Sequence, residues 1–155
     1  MNMIKPFSLQ PLVHLAQQKN DAATKKLGQL NQQHQSAQDK LDALQQYRKD
    51  YQTKFKEAAQ NGMAPADMRN FQDFIGRLDQ AIQQQQRVIE KAKVGVQTGR
   101  NELMDTTRKM KSFDTLAQRH VEAEKKLEAK NEQRAQDEHT GRFAAYRAAE
   151  KNGDK

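Results

Sequence analysis

The sequence predicts an all-α protein: a long antiparallel two-helix coiled coil, or α-hairpin, in which the second helix overhangs the first. Three observations predict this fold: the composition, the placement of proline and the heptad spacing of the apolar residues. Of the 155 residues, 35% are hydrophobic and 30% are charged, and only three are proline. This apolar fraction is too low for an ordinary globular core, whereas one narrow apolar stripe on each of two helices is compatible with it.

Proline divides the chain into two long segments that are free to form helices. Pro6 and Pro11 lie near the start and Pro65 lies in the middle. Between the two segments the chain reads Asn-Gly-Met-Ala-Pro, in which Gly62 suits the C-terminal cap of one helix and Pro65 the first turn of the next. Two helices joined by one tight turn are the simplest interpretation.

These breaks predict a single coiled-coil hairpin domain over residues 1–155. Helix one is expected at about 8–60, the turn at about 61–65 and helix two at about 66–150. Because helix two is the longer one, its last part has no partner helix. We therefore expect the C-terminal end to fray.

Apolar residues recur every seven positions in both predicted helices. The repeat runs from Leu9 to Ala58 in helix one and from Met68 to Ala117 in helix two, without a polar interruption on either line. Antiparallel pairing about the turn places Leu30 of helix one opposite Gly99 of helix two. A large residue then meets the smallest one, as a close two-helix seam requires.

No residue pattern typical of an enzyme or a metal site occurs in the sequence. The four histidines are spread along the helices, the seven glycines form no phosphate-binding loop, and cysteine is absent. No apolar run approaches the ~20 residues that cross a bilayer, and the start of the chain lacks a secretory signal. We expect a non-enzymatic cytoplasmic protein that uses no cofactor and no metal.

A basic stretch between Arg87 and Lys111 stands out in a chain whose formal net charge is +7. Such a stretch is most often a solvated helix face, although it could attract an acidic protein or the phosphates of a nucleic acid. Nucleic acid is the weaker alternative because no aromatic residues are interleaved with these charges. A membrane surface is weaker still, since the charges fall on several helix faces.

Near the turn, the apolar stripe is wider than one partner helix can cover. Phe74 of helix two and Tyr47 of helix one both lie beside the seam. Exposed aromatic side chains in such a position are typical of a protein-binding surface. The alternative is that both rings fold over the edge of the seam and extend the core.

The segments that flank the turn also carry a more specific pattern. Tyr47 and Tyr51 precede the turn, and residues 70–75 read Asn-Phe-Gln-Asp-Phe-Ile after it. With an opening in which Phe7 is followed by regularly spaced leucines, the chain resembles the flagellar export protein FliJ family, the soluble coiled-coil components of the bacterial type III export apparatus. The resemblance is best from about residue 7 to 85.

The resemblance implies a non-enzymatic stalk that enters the hexameric export ATPase and promotes its assembly or activity. It also implies links to the cytoplasmic domain of the export gate membrane protein and to export chaperones. The protein would be cytoplasmic and peripherally associated with the inner membrane export apparatus, with no nucleic acid partner. Heptads alone do not separate a flagellar stalk from the equivalent stalk of a virulence type III secretion system.

The resemblance also implies two sets of contact residues. The residues carried over as gate-facing are Phe74, Leu78, Ala81 and Gln85, and the neighbouring line on helix one adds Leu44, Tyr47 and Tyr51. The region expected to contact the ATPase comprises the two chain ends, with Leu9, Leu12, Ala16, Ala23, Met110, Phe113, Ala117 and Leu127.

Overall fold

Two long helices make up nearly all of the described chain. The computed structural model of the protein describes residues 7–153. Helix α1 spans Gln10–Gln60 with 51 residues, and helix α2 spans Pro65–Gly153 with 89 residues. The two helices pack against each other and no strand occurs in the described part. The prediction of an all-α helical hairpin with a longer second helix is therefore confirmed.

The connection between the helices is short and has defined ends. Helix α1 ends at Gln60, two residues before Gly62, whose φ of 91° lies in the left-handed region that glycine adopts without strain. Pro65 opens α2, where its missing N–H costs no intrahelical hydrogen bond. The carbonyl oxygen of Ala64 accepts a hydrogen bond from the N–H of Met68 at 3.1 Å, which begins the helical pattern.

Replacing Gly62 with alanine is expected to lower the free energy of unfolding by about 1–2 kcal/mol, because a side chain at positive φ is strained. A Cβ at this position would meet no atom within 4 Å, so no clash adds to the backbone effect. Urea unfolding followed by circular dichroism measures the change.

Gly28→Ala is the matched control for that experiment. Gly28 lies inside α1 and an added Cβ there also meets no atom within 4 Å. Alanine favours the helix by about 1 kcal/mol relative to glycine, so this variant should be more stable than the native chain. A Gly62→Ala chain that gains stability like Gly28→Ala would contradict the role of the turn.

The chain divides into two compact units. The first, which we call the turn unit, is Gln18–Thr107 and contains the turn with the adjoining parts of both helices. The second, which we call the end unit, combines Met1–Gln17 with Arg108–Lys155.

The core of the turn unit is a narrow seam between α1 and α2. Its buried centre is a cluster formed by Ala37, Leu41 and Ile89, with the partly buried Ile82 packed against it. Farther from the turn, small residues allow the helices to approach closely.

One such close approach was expected from the sequence. An ideal Cβ built at Gly99 would lie 2.8 Å from Cδ1 of Leu30 and 3.4 Å from Cδ1 of Leu27. The predicted placement of Leu30 opposite Gly99 is thus confirmed.

The end unit has a smaller seam of the same kind. Val13 and Ala16 of α1 are buried there. The ring of Phe7 lies 5.4 Å from the ring of His120, centroid to centroid, which brings the beginning of the described chain beside α2. From residue 121 to 153 the helix continues with all side chains exposed except two half-buried glutamates. Fraying of this last stretch stays a prediction.

Candidate partner-binding surfaces

Five aromatic rings form a continuous cluster beside the turn, and we call them the aromatic cluster. Its members are Tyr47, Tyr51 and Phe55 of α1 with Phe71 and Phe74 of α2. Tyr51 connects them, because its ring centroid lies 4.9 Å from that of Phe71 and 4.5 Å from that of Phe74. The cluster joins the two helices where they leave the turn, so it stabilises the hairpin and also shapes its surface.

Tyr47 is the exposed member of the aromatic cluster. Its residue surface is 51% exposed, and its ring meets that of Phe74 at 6.0 Å with an interplanar angle of 78°. Phe74 is half-buried. The sequence left open whether these rings are exposed or fold over the edge of the seam. Phe74 covers the edge of the seam, whereas Tyr47 remains on the surface. An exposed ring that a neighbour already orients loses little freedom on binding.

The four residues carried over as gate-facing fall into two groups. Phe74 and Ala81 are half-buried at the edge of the seam. Leu78 and Gln85 are each only 7% exposed and lie between the helices. The side-chain amide of Gln85 donates a hydrogen bond to the carbonyl oxygen of Ala37 at 2.9 Å. A partner contact by these two buried residues stays a prediction, and it would require α1 to move away.

An ion pair crosses the seam near the aromatic cluster. Nε and Nη2 of Arg48 donate hydrogen bonds to the two carboxylate oxygens of Asp79. The hydrogen bond to Asp79 raises the pKa of Arg48, burial opposes this, and the negative charge adds to the increase. Asp79 was not predicted to take part in this contact. The hint in the sequence is Arg48, a cation that stands between the apolar Leu41 and Phe55 on a heptad line of α1 and therefore needs a partner across the seam.

The remaining residues of helix one differ in exposure. Leu44 and Tyr51 are half-buried, so that Tyr47 is the member of this group that faces solvent most openly. The predicted surface near the turn is consequently smaller than the sequence suggested, and its exposed centre is Tyr47.

The residues expected to contact the ATPase are also unequally exposed. Ala16 and Ala23 are buried, four are half-buried, namely Leu9, Met110, Phe113 and Ala117, and two are exposed, namely Leu12 and Leu127. Ala23 alone of these lies in the turn unit. The structure adds Leu15, Leu116 and Val121 as exposed apolar residues of the end unit. These three residues lie off the heptad lines of the seam.

Within residues 7–153, the charged side chains do not form a further binding site. Every lysine and arginine between Arg87 and Lys111 is exposed, as expected of a solvated helix face. Over residues 7–153, no group of three or more histidine, aspartate or glutamate side chains is arranged to hold a metal ion. Neither helix contains, in the same range, an apolar stretch long enough to cross a membrane.

The fold and the aromatic cluster define the class of the protein: an α-helical coiled-coil hairpin with an aromatic surface beside its turn. The sequence model of the family described as flagellar FliJ protein matches residues 5–150. This chain therefore belongs to the flagellar FliJ protein family.

Two curated relatives agree with this assignment. The chain is 27% identical over 142 residues to the flagellar FliJ protein of Salmonella typhi, and 26% identical over 142 residues to that of Escherichia coli (strain K12). Each alignment covers 92% of this chain and 97% of the relative. No solved structure was found to match the chain.

Proposed function

We propose that this protein is a non-enzymatic stalk and adaptor of the flagellar type III protein export apparatus. It inserts into the hexameric export ATPase, promotes assembly or activity of the ATPase, and links it to the export gate and to export chaperones. The observation that carries the proposal is the match to the flagellar FliJ family over residues 5–150. The flagellar names of both relatives favour this function over the equivalent stalk of a virulence secretion system.

The end unit is the proposed ATPase-binding part. It combines exposed apolar side chains, among them Leu12 and Leu116, with a stretch of α2 beyond Val121 whose side chains are exposed apart from two half-buried glutamates. A single helix with alternating charges is only marginally stable in water. A ring that encloses this stretch would bury its few apolar side chains, and this gain would offset the conformational entropy lost when the stretch is held in the helical state.

The turn unit is the proposed gate-binding part, and the chaperone contacts are proposed for the same protein without assigned residues. Tyr47 supplies the exposed ring, and Phe74 orients it. Both helices contribute residues to each of the two units. Contact with the membrane is indirect in this proposal, through the gate protein.

Removing residues 121–155 is expected to weaken binding to the purified export ATPase by about tenfold, which is ~1.4 kcal/mol, and to reduce its stimulation. The reason is that the exposed stretch of α2 is lost while the seam of both units remains. Equilibrium binding and the rate of ATP hydrolysis measure the two effects on the same samples.

The control for the deletion is Tyr47→Ala in the full-length chain, which should bind and stimulate the ATPase as the native chain does. An unchanged ATPase response after the deletion would exclude this stretch from the mechanism. Retention on DNA that disappears with added salt, together with no affinity for the ATPase, would instead support the nucleic-acid alternative.

A further inference from the structure

At three layers along the seam of the turn unit, a polar side chain or a glycine is matched to particular residues of the other helix. In the first, the amide of Gln85 reaches the backbone carbonyl of Ala37 at 2.9 Å. In the second, Leu30 occupies the space that a side chain at Gly99 would fill. The third layer is formed by Asn20, whose amide donates to the hydroxyls of Thr106 and Thr107 at 3.2 Å and 2.8 Å.

The first layer works only with a small residue at position 37. Ala37 has no side-chain atoms beyond Cβ, so the amide of the buried Gln85 reaches the α1 backbone. One heptad away on the same line of α1 stand Leu30 and Leu44. If α1 slipped by one heptad in either direction, a leucine would stand between this amide and the backbone. The buried amide would then lose its hydrogen bond, which is unfavourable in an apolar seam.

The second layer, formed by Leu30 and Gly99, also fits only one register of the two helices. The residues one heptad from Gly99 are Ala92 and Thr106, and both carry side chains where Leu30 needs open space. A one-heptad slip therefore replaces a fitted pair with a crowded one in either direction.

The third layer distinguishes the same alternatives through polarity. After a slip in one direction, Asn20 would lie near Gly99 and Arg100, neither of which has a side chain that accepts a hydrogen bond. After a slip in the other direction it would lie near Phe113 and Asp114, and the carboxylate of Asp114 is an acceptor, so this layer opposes the slip in one direction only. The first two layers oppose a slip in either direction, and all three are satisfied in the observed alignment of α1 and α2.

We propose that these three layers are sufficient to determine the register of the two helices even when the short turn does not constrain it. The apolar heptads stabilise the seam in any alignment that differs by seven residues, because Leu, Ile, Val and Ala recur on every line. The three layers stabilise only one of these alignments. A slip of one heptad would move α1 along α2 by ~10 Å, so the register fixes which residues of the two helices stand side by side.

The test measures the register directly in the full-length chain. Nitroxide labels are attached to Ser36→Cys and Thr98→Cys, two exposed positions on opposite helices of the turn unit. The chain has no native cysteine, so the labels occupy these positions only. A flexible insertion of Gly and Ser after Gly62 lengthens the turn and makes a slip sterically free. Pulsed electron–electron double resonance then gives the distribution of distances between the two labels.

With the native side chains in this lengthened chain, we expect a single distance population. With Asn20→Leu and Gln85→Leu, we expect a second measurable population, because the Leu30–Gly99 layer is then the one remaining layer of the three that distinguishes the registers. The matched control is Asn31→Leu with Gln86→Leu. It makes the same replacements at exposed positions of the same helices and should keep one population.

A single unchanged population in the Asn20→Leu and Gln85→Leu chain would overturn the proposal, and so would an equal second population in the control. If the double variant loses its helicity, Gln85→Leu alone in the lengthened chain is judged by the same two criteria. The measurement separates a change of register from a loss of stability. A variant that only destabilises the hairpin lowers the unfolding midpoint but does not produce a second distance between the labels.

Discussion

Replacing Ile89 with alanine is expected to lower the free energy of unfolding by about 2–4 kcal/mol, as for other buried isoleucines. Ile89 is only 4% exposed and packs with Ala37 and Leu41 at the centre of the turn unit. The seam consists of one layer of side chains between two helices. Neighbouring residues therefore cannot fill the cavity from behind. Urea unfolding followed by circular dichroism, with a concentration series to exclude self-association, measures this loss.

The matched control is Val94→Ala, five positions along the same helix. Val94 is 66% exposed, so the variant removes little buried surface. Alanine is also the better helix former, and the expected change is within about 0.5 kcal/mol of the native chain. If the Ile89→Ala chain unfolds at the same denaturant concentration as the Val94→Ala chain, the seam is not the source of stability that the burial indicates.

Much of this fold follows from the sequence because a two-helix seam is a geometric consequence of spacing. A heptad line that stays apolar over many turns determines which helix face is buried, and Gly62 and Pro65 determine where the chain reverses. Once the reversal is known, the pairing of Leu30 with Gly99 follows within about one helical turn. This is why the contact between those two residues was predictable without coordinates.

The surface beside the turn was less predictable. Positions 78 and 85 belong both to the seam line and to the neighbouring line on the flank, so spacing alone does not decide where their side chains point. The deciding factor is the opposite helix: Ala37 leaves room for Gln85, which is drawn inward to the backbone carbonyl. The Arg48–Asp79 pair was missed for the same reason, since a contact across the seam depends on the rotation of both helices.

The seam also shows why buried residues are poor tools for testing partner binding. Leu78→Ala would weaken the hairpin and a partner contact together, because this side chain is buried between the helices. A binding defect in that variant would not distinguish a lost contact from a lost fold. An exposed residue of the aromatic cluster avoids this ambiguity.

Replacing Tyr47 with alanine is expected to weaken binding to the cytoplasmic domain of the export gate by about 30-fold, the effect of a hot-spot residue worth ~2 kcal/mol. The loss of stability should be less than about 1 kcal/mol, because Tyr47 is half-exposed and mainly gives up an edge contact with Phe74. Isothermal titration calorimetry with the purified gate domain measures the affinity, and urea unfolding measures the stability.

The chain offers a matched control for this substitution in Tyr146, an exposed tyrosine of the end unit. Tyr146→Ala removes the same side chain from a position of similar exposure and should leave gate binding unchanged. Equal affinities of the native and Tyr47→Ala chains would show that the exposed ring is not the contact. A loss of affinity in both tyrosine variants would point to a general effect of removing exposed aromatic surface. Only a loss confined to Tyr47, with stability retained, assigns the gate contact to the aromatic cluster, because the two variants differ in the position of the lost ring and not in its chemistry.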